Sequence, residues 1–65
     1  MKIRAKIFVA GNYFRTVNMA QCPAVSDTLR LDDERYAIVT EVIWCIDESD
    51  LNCQRVNIRT VRDDG

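Results

Sequence analysis

Histidine is absent from this chain of 65 residues. With it go the side chain most often used as a general base near neutral pH and the Ser-His and Cys-His pairs that activate nucleophiles. Glycine occurs only at Gly11 and Gly65, so no Gly-rich loop exists to cradle a phosphate. The three cysteines, Cys22, Cys45 and Cys53, contain no Cys-x-x-Cys spacing and have no imidazole to complete a tetrahedral zinc shell. No apolar run approaches the roughly 18 residues of a membrane-crossing helix. The start of the chain, Met1-Lys2-Ile3-Arg4-Ala5-Lys6, threads charges through its apolar positions, unlike a signal peptide. These absences predict a protein that is not an enzyme, needs no metal or cofactor, and works in the cytoplasm away from membranes.

An odd number of cysteines suits a reducing compartment, because three thiols cannot all pair within one chain. Cys45 and Cys53 flank the loop 47–52, and a hairpin there would bring them face to face as a disulfide or as two metal ligands. The alternative is that all three are small buried apolar residues. Carboxylates cluster at Asp32, Asp33 and Glu34 and again at Asp47, Glu48 and Asp50. Neither run has the ligand spacing of a calcium loop, and solvated turns account for both.

Hydrophobic residues make up 48% of the chain and charged residues 29%, which excludes intrinsic disorder. One domain is expected over 1–62, followed by a short acidic tail, 63–65. A chain of this length buries only about 60% of the surface its unfolded form exposes, so self-association or a partner would add stability. Charge is unevenly spread. Residues 1–22 hold Lys2, Arg4, Lys6 and Arg15 with no acid, whereas 27–50 hold eight acids against Arg30 and Arg35. Arg55, Arg59 and Arg62 then restore basic character. If the first and last strands were neighbours, their cations would collect on one surface.

The dominant pattern is the run 36–46, YAIVTEVIWCI, nearly all β-branched or aromatic. Both of its alternating sets are apolar, so this strand is either covered on both faces or bends so that its halves present opposite sets to the core. Ile3, Ala5, Ile7 and Val9 alternate with Lys2, Arg4, Lys6 and Phe8 to give a first strand. Gly11-Asn12 offers a hairpin turn into a second strand over 13–20. Two-residue pairing sets Val9 opposite Phe14, and a loop longer by one residue brings Val17 and Met19 onto the face of Ile7 and Ala5. Pro23 ends pairing, and a short strand over 28–31, the long strand and a last strand over 53–61 follow. The expected core is Ile3, Ile7, Val9, Leu29, Leu31, Ile38, Val42, Trp44, Val56 and Ile58.

The stretch 23–31, PAVSDTLRL, followed by Arg35-Tyr36-Ala37-Ile38-Val39 and Val42-Ile43-Trp44, resembles the proline, small residue, Gly-Asp, strand, turn, strand pattern of SH3-like small barrels, including KOW-type modules. Ser26 stands where those modules usually carry glycine. The resemblance covers about a third of the chain and implies a fold without a function. The expected architecture is all-β, about five antiparallel strands in a small SH3-like barrel or curled sheet.

With catalysis set aside, two binding classes remain. A protein-binding or regulatory module needs only an exposed strand edge or an aromatic patch rimmed by charge. Arg4, Lys6, Tyr13 and Arg15 are its candidate residues, with a protein or a second copy of the chain as partner. An accessory or inhibitor protein of a phage or mobile element fits that size. The alternative is a nucleic-acid-binding barrel that uses the basic and aromatic face of the first two strands.

Overall fold

The computed structural model describes residues 2–63 and contains five strands, β1 (Lys2–Val9), β2 (Asn12–Met19), β3 (Thr28–Arg30), β4 (Tyr36–Trp44) and β5 (Cys53–Arg62). A single 3-10 turn, Ile46–Glu48, interrupts the loop before β5. The strands form one curled half-barrel sheet in the order β2-β1-β5-β4-β3. The architecture is all-β, as the alternation predicts. One of its four ladders differs from the expected antiparallel pattern, because β1 runs parallel to β5 with Ala5 beside Val56 and Ile7 beside Ile58. Those two central strands carry most of the core, and their apolar sets meet on the same face.

Buried apolar residues are Ala5, Ile7, Ala37, Val39, Val56 and Ile58, with Thr60 the only buried polar residue among those described. The Thr60 hydroxyl donates to the Phe8 carbonyl at 2.8 Å, so its burial leaves no unpaired oxygen. Ile3, Val9, Leu29 and Val42 pack against this centre from partly buried positions. Three expected core residues sit elsewhere. Leu31 lies just past the end of β3 and is half-buried, Ile38 is half-buried on the outer face, and Trp44 is 42% exposed.

The long strand explains these corrections. Its register shifts between Val39 and Glu41, a bulge that leaves Thr40 unpaired, with the Thr40 hydroxyl donating to the Arg59 carbonyl at 3.2 Å. Ala37 and Val39 therefore face inward before the bulge, and Val42 faces inward after it. An extra residue reverses the side-chain parity, which is why both alternating sets are apolar. β3 pairs only with 36–38, so the second half of β4 has β5 on one side and, among the described residues, no paired strand on the other. Trp44 stands at that uncovered end.

The first hairpin turns at Ala10-Gly11, one residue earlier than Gly11-Asn12, since Val9 pairs with Asn12. Ala10 has φ 51° and Gly11 φ 84°, the two left-handed residues of a type I′ turn that matches the twist of a hairpin. A bulge between Ile7 and Phe8 then accommodates Phe14 and sets Ala5 opposite Val17 and Ile3 opposite Met19. Val17 and Met19 thereby join the inner face.

Candidate functional site

Inner and outer faces of the half-barrel present different chemistry. The sheet stops before closing: β2 and β3 are its two edges, and a groove of about 220 Å³ runs between them. Ile7, Phe14, Val17 and Met19 line one side, Leu29 and Leu31 the other, and Arg15 and Arg30 stand at the rim. The β2 bulge places Arg15 here. Its guanidinium lies 5.4 Å from the centre of the Phe14 ring, a cation–π arrangement that holds the charge over an apolar wall. Arg30 reaches Asp33 at 2.7 Å, an exposed pair of little energetic weight.

The outer face is set by the β1–β5 register. Lys2, Arg4 and Lys6 are exposed on β1, and Arg4 stands directly beside Arg55 while Phe8 stands beside Arg59. Tyr13 pairs with Phe8 across the hairpin, their ring centres 5.9 Å apart and nearly perpendicular, and its hydroxyl lies 2.7 Å from the Thr16 hydroxyl. Arg59 approaches Glu41 at 3.7 Å, the one acid among the described residues that faces this array from a neighbouring strand.

The four residues singled out by sequence are therefore divided. Arg4, Lys6 and Tyr13 occupy the outer face, and Arg15 belongs to the groove. The expected gathering of cations by adjacent first and last strands does occur.

The acidic clusters build turns. One carboxylate oxygen of Asp32 accepts from the amides of Glu34 and Arg35 at 3.0 and 2.9 Å, and the other accepts from the Arg35 guanidinium at 2.5 Å. These bonds, led by the Glu34 amide, hold the Asp32 carboxyl below the usual carboxylate range. Asp50 accepts from the amides of Asn52 and Cys53, both at 2.8 Å, and those bonds lower it likewise. No group of three or more potential metal ligands occurs among the described residues.

All three cysteines are free and half-buried. Cys45 pairs through its amide with the Arg55 carbonyl at 2.9 Å, so the hairpin register places it opposite Arg55 and away from Cys53. Burial pushes the Cys22 thiol up. A feature the sequence reading passed over is the tip around the 3-10 turn, where Ile46 and Leu51 are 75% and 94% exposed. An isolated aliphatic residue inside an acidic loop was the available signal.

No protein-family model matches this chain, and comparisons with curated proteins and with solved structures find none significantly similar. No described helix is long and apolar enough to cross a membrane.

Proposed function

We propose that this chain is a small non-catalytic protein-binding module of the cytoplasm, which holds its partner by taking an extended segment into the open seam between β2 and β3. The seam is the observation that supports the reading. Two strand edges face one another over an apolar groove, and an added strand finds backbone donors and acceptors along β2 together with side-chain pockets below. Alternate side chains of such a segment point toward Val17, Met19 and Leu29. Arg15 and Arg30 at the rim favour a carboxylate beside those apolar side chains.

Binding also covers apolar surface that so short a chain leaves in water. A second copy is the symmetric case, in which β2 pairs with β2 about a two-fold axis. A chain with these properties suits an accessory or inhibitor protein of a phage or mobile element, acting by occupying a partner's surface. The test is affinity capture from the native host lysate after nuclease treatment, comparing the natural chain with Arg15→Glu/Arg30→Glu. A nuclease-resistant protein partner lost in the variant supports the reading. If nuclease removes every co-purifying species, or the variant retains them all, the reading fails.

A further inference from the structure

The outer face carries a charge arrangement that the seam does not use. Successive outward residues on one strand stand about 6.6 Å apart, and neighbouring strands lie roughly 4.8 Å apart. Lys2, Arg4 and Lys6 therefore form a row, and Arg55 and Arg59 form a second row beside it, with Arg4 and Arg55 in direct register. Like charges side by side on a sheet are destabilising. Here five cations share one face, and among the described residues the only acid that pairs with any of them from a neighbouring strand is Glu41, at 3.7 Å from Arg59. Asp50, in the turn before β5, offsets Arg55 through space, whereas Lys2, Arg4 and Lys6 form no ion pair among the described residues, so the repulsion along β1 persists although the chain as a whole has a net charge of −1. A bound polyanion relieves it.

Two aromatic rings stand at the end of the row. Tyr13 is 58% exposed and meets Phe8 edge-on, which leaves a ring face free for stacking. Beside them is a depression of about 260 Å³ with Phe8, Ile43, Asn57 and Arg59 on its walls. Cations tracking a backbone, followed by an aromatic platform and an amide side chain, are the elements that hold single strands without strong sequence preference. A duplex keeps its bases stacked and gains nothing from the rings.

We propose that the outer face of β1 and β5 is a binding site for single-stranded nucleic acid, with Lys2, Arg4, Lys6, Arg55 and Arg59 on phosphates and Tyr13 stacked on a base. The site lies on the opposite side of the sheet from the seam and stands independently of the protein-binding reading.

The experiment is fluorescence anisotropy with labelled oligothymidylate and oligouridylate of about fifteen nucleotides, a length covering one small-barrel site, titrated across salt concentrations. With roughly 0.7 counterions released per phosphate contact on a single strand, Arg4→Gln/Lys6→Gln lowers the magnitude of the salt slope by about 1.4. Tyr13→Ala weakens binding roughly tenfold with the slope unchanged, in keeping with stacking contributions per base. Circular dichroism and thermal melting of each variant establish that the fold is intact, and all these positions are exposed. Arg15→Glu, at the seam, leaves the slope contribution of Arg4 and Lys6 in place. Absence of binding at low salt, a slope that the double variant does not change, or equal affinity for a duplex or for polyaspartate of matched length overturns the proposal.

Discussion

Two turns in this chain hold non-glycine residues in left-handed conformations, and substituting them tests the backbone description directly. Ala10 has φ 51° in the first hairpin, and Ser26 has φ 82° in the turn that Asp27 closes by donating its amide to the Ala24 carbonyl at 3.0 Å. A left-handed L-residue costs roughly 1–2 kcal/mol. Glycine removes that strain but adds about 0.5–1 kcal/mol of backbone entropy lost on folding. The net gain is about 0.5–1 kcal/mol each for Ala10→Gly and Ser26→Gly. The two sites lie in different turns and share no hydrogen-bond partner, so their effects should add to about 1–2 kcal/mol. In a domain of this size that raises the melting temperature by roughly 4–15 °C. Gly11 provides the control with opposite sign. A Cβ built there meets nothing within 4 Å, so Gly11→Ala has space but the wrong φ of 84° and destabilises by about 1 kcal/mol through the backbone alone. Thermal and urea unfolding followed by circular dichroism give all four values. If both glycine variants are neutral or destabilising, or Gly11→Ala is silent, the turn does not sit at Ala10-Gly11 and the hairpin register derived from it is wrong.

Ile58 on central β5 is fully buried, so Ile58→Ala should cost about 2–5 kcal/mol. Since a 65-residue chain has a total of only about 3–10 kcal/mol, that variant should be largely unfolded in mild urea. Ile43→Ala, at a 40% exposed position on the outer face, should cost less than about 1 kcal/mol in the same assay, and equal costs would contradict the assignment of faces. The carboxyls of Asp32 and Asp50 are lowered in the folded state, so their stabilising contribution is present above the unfolded value of about 3.9 and is lost as pH falls through the lower folded value. Stability should therefore decline with acid below about pH 4, more shallowly in Asp32→Asn/Asp50→Asn, and an identical acid profile in that variant would show that these turns do not contribute.

The all-β class, the five strands and the extended character of 36–46 were legible because β-branched alternation is a local signal, whereas a central place for that run was not borne out: β5 is the middle strand, and β4 lies next to the edge strand β3. The bend was legible as a choice between two explanations, since apolar residues in both alternating sets of 36–46 require either two covered faces or a change of parity. What the pattern does not contain is where the parity changes. The bulge falls at Thr40, and that single position decides that Ala37 and Val39 are buried while Ile38 faces outward. Trp44 was misplaced for a related reason: its burial depends on whether another strand covers that end of β4, and β3 is too short to do so. The parallel β1–β5 ladder is a long-range pairing with no turn between its strands to announce it. Among the site residues, Arg4 and Lys6 followed from alternation along β1. Arg15 crossed to the groove because the β2 bulge shifts its register, which composition and spacing do not encode.

The open seam between β2 and β3 is tested most directly by amide hydrogen exchange on the complex with a peptide selected by display on the natural chain and rejected by the Arg15→Glu/Arg30→Glu variant. The account predicts peptides that alternate apolar residues beside a carboxylate, and new protection concentrated on the β2 edge, Asn12–Met19, with β1 and β5 unchanged. Protection confined to the outer face or to the Ile46 and Leu51 tip, with the β2 amides exchanging as in the free protein, would contradict it.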